Sequence, residues 1–279
     1  MTASGELRIL GRALALGVAV ACANARAGTH CTDTVFVDGF DGAARSAAGA
    51  TIALASDGWN LFTFDVSAPE SPTIIGPAQG SAFLLAFVDG NANRAFGLAQ
   101  DWAVSPDLLA TIRLDDAAIT PIGHASPHDG DWLGFKQSPA TGELYAVSGC
   151  PSSSTLYTID RNTAAPHRVG NLVGTGCATA IAIDGHGRMY AIGSGELLES
   201  DVDTLVASPI GPLGFDAGMG DMDFVVATGT LYLAARNNTA GRAELRSIDP
   251  LTGASTFVGV IPGDYITGFA IENGVVCSP

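Results

Sequence analysis

The chain has 279 residues, of which 15% are charged; Lys136 is its sole lysine and the formal charge is −15. With no cluster of Lys and Arg it lacks the footprint of a nucleic-acid binder, and it lacks the positive charge that draws a protein to an anionic membrane. Thirty-five glycines and fourteen prolines point to many tight turns rather than long helices.

The N-terminus reads as a leader. Arg8 and Arg12 precede the apolar run from Ala13 to Ala23, which is too short to cross a bilayer. Ala23-Asn24-Ala25 and Ala25-Arg26-Ala27 both carry small residues at cleavage spacing, so residues 1–27 read as a secretory signal peptide. Its removal takes away Glu6, Arg8, Arg12 and Arg26, a net +2, and leaves the mature chain at −17. A competing reading makes Cys22 a lipoprotein cysteine, although Ala19-Val20-Ala21 lacks the usual large aliphatic residue before it. The expected location is the periplasm or the exterior. Residues 28–50 form an N-terminal extension, and residues 51–279 the folded domain.

From Thr51 onward one pattern recurs about every 45 residues, the period of a propeller blade. A strand ends in Asp: Leu61–Asp65, Thr111–Asp115, Leu156–Asp160 and Leu245–Asp249, with a degenerate copy at Leu198–Asp203. The next strand closes on a glycine, at Gly76, Gly123, Gly170, Gly211 and Gly259. Apolar inner runs follow at about 83–89, 131–137, 178–184, 221–227 and 265–271, and then second strands such as Leu144-Tyr145-Ala146. The Tyr or Phe of each second strand is expected to pack between blades. The last inner run has no third or fourth strand after it, while the chain begins with spare ones. The two ends therefore share a blade, with Thr51–Ser56 and Gly274–Cys277 competing for its second-strand place.

Beyond the leader stand Cys31, Cys150, Cys177 and Cys277. An even count in an exported chain reads as two disulfides, and no spacing suggests zinc. Cys150 and Cys177 fall in loops that leave the same face, which makes Cys150–Cys177 feasible. Cys31 and Cys277 flank the junction of the ends, where a cross-link closing so long a loop is worth about 4–5 kcal/mol of chain entropy.

The segment Trp59-Asn60-Leu61-Phe62-Thr63-Phe64-Asp65-Val66-Ser67-Ala68-Pro69 through Ile74-Ile75-Gly76 resembles an LVIVD repeat, a propeller module of bacterial surface and exported proteins. Ser247-Ile248-Asp249-Pro250-Leu251-Thr252-Gly253 is similar to the wider exported propellers with Tyr-x-Ile-Asp-Pro-x-Thr-Gly turns. The first match covers one blade, and the others lack the Asp-Val-Ser-x-Pro segment. The resemblance implies a propeller and carries no shared activity.

One acidic constellation has the residue types for chemistry. His124, His128, Asp129 and Asp131 precede one inner strand, Asp221 and Asp223 open another, and Asp264 precedes the last. If His128, Asp129, Asp131, Asp221, Asp223 and Asp264 converge near the axis, they suit a divalent cation. Oxygen ligands favour Ca²⁺, and added imidazoles favour Zn²⁺ or a transition metal. A carboxylate pair among them would also serve a glycoside hydrolase. The bland alternative is that loop aspartates cap turns. Asp89-Gly90-Asn91-Ala92-Asn93 lacks the later Gly and Glu of a calcium loop and reads as a hairpin turn, as does Asp184-Gly185-His186-Gly187. No nucleophile elbow, phosphate loop or His-Glu-x-x-His is present. Trp59, Trp102 and Trp132 read as packing residues.

The sequence thus predicts an all-β, five-bladed β-propeller, its last blade closed by strands from both chain ends. It is expected to be exported, monomeric and non-enzymatic, and to bind a protein, peptide or glycan on its loop face. The alternative is a channel-centred enzyme, a metal-dependent lactonase or a glycoside hydrolase. Convergence of Asp131, Asp221, Asp223 and Asp264 distinguishes the two.

Overall fold

The apolar runs that punctuate the sequence are the innermost strands of five four-stranded antiparallel sheets. The structure, a computed structural model, describes residues 50–78, 82–87, 91, 93–100, 107–149 and 153–273, all within the unit Phe40–Pro279. Strands β1 (Ile52–Ser56), β2 (Asn60–Asp65) and β3 (Thr73–Pro77) come first. Four whole blades follow. The second is β4 (Ala82–Phe87), β5 (Arg94–Gln100), β6 (Leu108–Arg113) and β7 (Ile119–His124). The third is β8 (Trp132–Gln137), β9 (Leu144–Ser148), β10 (Ser154–Ile159) and β11 (Pro166–Leu172). The fourth is β12 (Ala178–Ile183), β13 (Met189–Gly193), β14 (Glu196–Ser200) and β15 (Ala207–Pro212). The fifth is β16 (Ala217–Val225), β17 (Thr230–Asn237), β18 (Arg242–Ile248) and β19 (Ser255–Val260).

Strand β20 (Gly268–Ile271) then returns to pair with β1, Ala53 opposite Ile271 and Ser56 opposite Gly268. This closing blade, ordered β20-β1-β2-β3, settles the open choice: the second-strand place belongs to Ile52–Ser56. Gly274–Cys277 lies outside the described residues. The inner strands neighbour one another in the ring order β4, β8, β12, β16, β20 and back to β4.

Packing between blades explains the second-strand aromatics. Phe96 of the second blade joins Trp132, Phe135 and Tyr157 of the third in one buried cluster. Tyr190 of the fourth meets Phe224 of the fifth, with ring centroids 5.2 Å apart. Alternation puts such residues on one face of the sheet; Tyr145 and Tyr232 are half-buried against their clusters, and the second strand of the closing blade, Ile52–Ser56, carries no aromatic.

The repeated glycine has a steric cause. In every blade the ladder between third and outer strand slips by one residue directly before it, at Ile75, Ile122, Val169, Ile210 and Val258. The glycine then lies against the third-to-fourth turn of the following blade. A Cβ there would come 2.5 Å from Ala117 at Gly76, 2.8 Å from the Thr163 carbonyl at Gly123 and 2.3 Å from Leu205 at Gly170. At Gly211 it would come 2.3 Å from the Thr252 carbonyl, and at Gly259 2.6 Å from Pro69, which closes the ring of contacts. Those turns are held by aspartate: Asp65, Asp160, Asp201 and Asp249 each accept the backbone N–H two residues on. In the fourth blade this role falls to Asp201 rather than Asp203.

Candidate functional site

Two aspartates and the only lysine meet on the axis. Asp221 and Asp223 are two residues apart on β16, so both side chains leave the same face of their sheet, the one that meets β20. Lys136, next to last in β8, is fully buried. Its Nζ donates to Asp221 Oδ2 (2.6 Å), Phe269 O (2.8 Å), Leu85 O (2.9 Å) and Phe135 O (3.0 Å). Three ammonium protons are shared by four acceptors, which come from β16, β20, β4 and β8. One side chain thus ties four of the five inner strands.

The carboxylates complete the arrangement. Asp221 accepts from Phe269 N–H (3.1 Å) and Met222 N–H (2.9 Å), and Asp223 from Ile271 N–H (2.8 Å) and Phe224 N–H (2.9 Å). The inner edge of β20 therefore bonds to side chains of β16, which stand in for a neighbouring strand. Burial pushes the Asp221 carboxyl up, against the pull of the Lys136 ammonium and the two amides. Burial likewise pushes Asp223 up, to about 6, with Lys136 and Ile271 N–H opposing and Asp221 adding to the rise. Beside them remains a space of about 20 Å³, also lined by Gln137 and Asn273. That is room for about one water.

The other predicted ligands are placed elsewhere. Asp129 accepts from the hydroxyls of Ser148 (2.6 Å), Tyr157 (2.8 Å) and Thr155. Burial raises its carboxyl, and those three hydroxyls outweigh burial and hold it below the usual range. His128 is exposed, and its ring centroid lies 6.5 Å from that of Tyr157. Asp131 and Asp264 are exposed. Asp264 uses its backbone carbonyl to accept from Arg236 (3.0 Å). The structure brings together Asp221 and Asp223 only. Among the described residues no group of three or more His, Cys, Asp or Glu could hold a metal. Of the cysteines beyond the leader, Cys177 alone is described; Cys31, Cys150 and Cys277 lie outside the described residues.

In the sequence Lys136 enters only the charge count. The available signal was its position: a lysine inside an apolar inner run must find a buried counter-charge, and β16 offers two.

The tryptophans divide. Trp132 is buried and T-stacked on Tyr157, with centroids 5.2 Å apart. Trp59, expected to pack, is instead 77% exposed at the tip of the β1–β2 turn. Trp102 lies outside the described residues. The Trp59 backbone is fixed nonetheless. Asp57 accepts from Trp59 N–H (2.8 Å) and Asn60 N–H (2.6 Å), Gly58 adopts φ +87°, and Ala78 N–H donates to Trp59 O (2.7 Å). Thr267 N–H donates to Ser56 O (2.8 Å) and joins this turn to the loop carrying Tyr265, which is 49% exposed with Arg236 stacked 4.8 Å above its ring.

A larger surface hollow of about 360 Å³ lies on the fourth blade, lined by His186, Arg188, Glu199 and Asp203 among others. Arg188 is already paired there with Asp184 at 2.7 Å.

Comparison with solved structures agrees with the fold. A chain of a nidogen/laminin complex is similar at TM-score 0.56 and 9% identity, over 80% of this chain and 98% of that one. TolB from Acinetobacter baumannii is similar at TM-score 0.50 and 13% identity; 81% of this chain matches 55% of it. At such identities the likeness is one of fold. No family model and no curated protein matches the chain.

Proposed function

We propose that this chain is an exported propeller that binds a protein, peptide or glycan through the rim carrying Trp59 and Tyr265. The observation that carries it is Trp59, a large side chain held in solvent on a turn with fixed backbone. Rigid, exposed aromatics concentrate binding energy at interfaces and lose little entropy on contact. One of the similar structures is a complex between two proteins, nidogen and laminin, which is consistent with a propeller used as a binding surface. The leader at residues 1–27 supports export, and the LVIVD likeness of Trp59–Gly76 belongs to the same proposal.

The test compares capture of partners from envelope and culture-fluid extracts by wild type and Trp59→Ala. The variant should lose capture, about thirtyfold in affinity or more. Its folding stability should stay within about 0.5 kcal/mol, as befits an exposed position. Undiminished capture by the variant would move the binding surface elsewhere.

The disulfide pairing is part of the proposal. Ser154 Oγ accepts from Ala178 N–H (2.9 Å), which puts the start of β10 beside the residue that follows Cys177. That Cys177 is disulfide-bonded supports Cys150–Cys177. Non-reducing peptide mapping of exported protein should recover Cys150–Cys177 and Cys31–Cys277, and a free thiol at Cys150 would overturn the assignment.

A further inference from the structure

The axial site holds two buried carboxylates and one ammonium. Lys136 bonds to Asp221, and among the described residues no hydrogen bond joins it to Asp223. Among the described residues one negative charge therefore has no hydrogen-bonded counter-ion of its own, and the space beside it has room for about one water. Among the described residues the charges that act most on Asp223 are Lys136 from β8 and Asp221 from its own strand. Around it, β4 offers Ala86 and Phe87, β20 offers Ile271, and Gln137 and Asn273 are neutral. Asp184, at the end of β12, is turned to Arg188.

We propose that Asp223 is an acid-tightened latch on the closing strand: protonated, it leaves the axis electrically balanced, and ionised, it sets a second negative charge beside β20. The latch acts on the join that closes the ring, where β20, four residues long, comes from the opposite end of the chain to its partner β1. The elevated value of about 6 for Asp223 against an ordinary 3.8 agrees with the charge count. The folded state holds this proton more tightly than the unfolded chain. The contribution is therefore fully present below about pH 4 and is lost as pH rises through 6. Across that window the unfolding constant rises about a hundredfold from this group alone. Asp221, also raised by burial, acts in the same direction. Asp129, Asp160, Asp201, Asp249 and Glu244 are all held below the usual range and act oppositely, losing stability only as pH falls below the ordinary carboxylate values.

Urea unfolding from about pH 5 to 7.5 separates these effects, since the second group stays ionised throughout. Wild type should become at least tenfold easier to unfold as pH rises, and Asp223→Asn, neutral at every pH, should lose most of that slope. Flat or increasing wild-type stability overturns the proposal, as does an Asp223→Asn protein with the full slope. If the variant does not fold, the side-chain carboxyl carbon of Asp223 is followed by NMR in wild type. A midpoint near 6 supports the latch, and one below 4 overturns it.

Discussion

Replacing Lys136 with methionine should destabilise the protein by about 3–5 kcal/mol at pH 7, the cost of leaving a buried charge without its partner. Methionine fills the same volume, so the loss reports charge and hydrogen bonding rather than a cavity. Asp221 would face Phe269 with no cation, and the carbonyls of Leu85, Phe135 and Phe269 would each lose a donor. For a domain of this size the melting temperature should fall by about 6–20 °C. The double variant Lys136→Met/Asp221→Leu should recover much of the loss, because exchanging a whole buried pair for apolar groups is often near neutral. The single variant should also be less harmed near pH 5, where Asp223 is protonated. Equilibrium urea unfolding measures all three, and a neutral Lys136→Met would show that the axis is held by something else.

The second large effect belongs to the outer ring. Gly211→Ala should cost about 3 kcal/mol, because its Cβ would lie 2.3 Å from the Thr252 carbonyl, and backbone there cannot yield without breaking the Asp249 turn. Gly170→Ala meets the Leu205 Cδ1 tip instead, a side chain that can rotate, and should cost about 1 kcal/mol. Equal losses at the two positions would mean that the glycines serve the bulge and not the contact between blades.

This contrast explains what could be read from the sequence. Each outer-strand glycine answers the same local demand, a turn from the next blade arriving at a bulge. The demand recurs five times, so the glycines and turn aspartates mark the blades on their own. The shared closing blade was legible because a strand without partners must find them. Which segment filled it was not, because Thr51–Ser56 and Gly274–Cys277 are both short and apolar at their centres, and only pairing with Phe269 and Ile271 distinguishes one of them.

The axis was half legible. Asp221 and Asp223 stood out, but the lysine that pairs with Asp221 is 85 residues away in sequence, and Lys136 also reaches Leu85 across 51 residues and Phe269 across 133. No local pattern encodes such a meeting. The loop acids Asp129, Asp131 and Asp264 share a sequence context with the axial pair, yet differ in depth. A hydroxyl cage holds Asp129, and solvent surrounds the other two. Trp59 was read as packing because most tryptophans in sheets pack; its place at a hairpin tip follows from Asp57 and Gly58, which make the turn.

Whether solvent reaches the axis can be measured directly. Lys136 is the only lysine, so acylation of the folded protein by an amine-reactive reagent, read by mass spectrometry of its peptides, reports on the axis alone. The sealed site predicts no label on Lys136 in the native protein and full label once urea unfolds it. Rapid labelling of Lys136 in the native protein would mean an open channel, and would contradict the account.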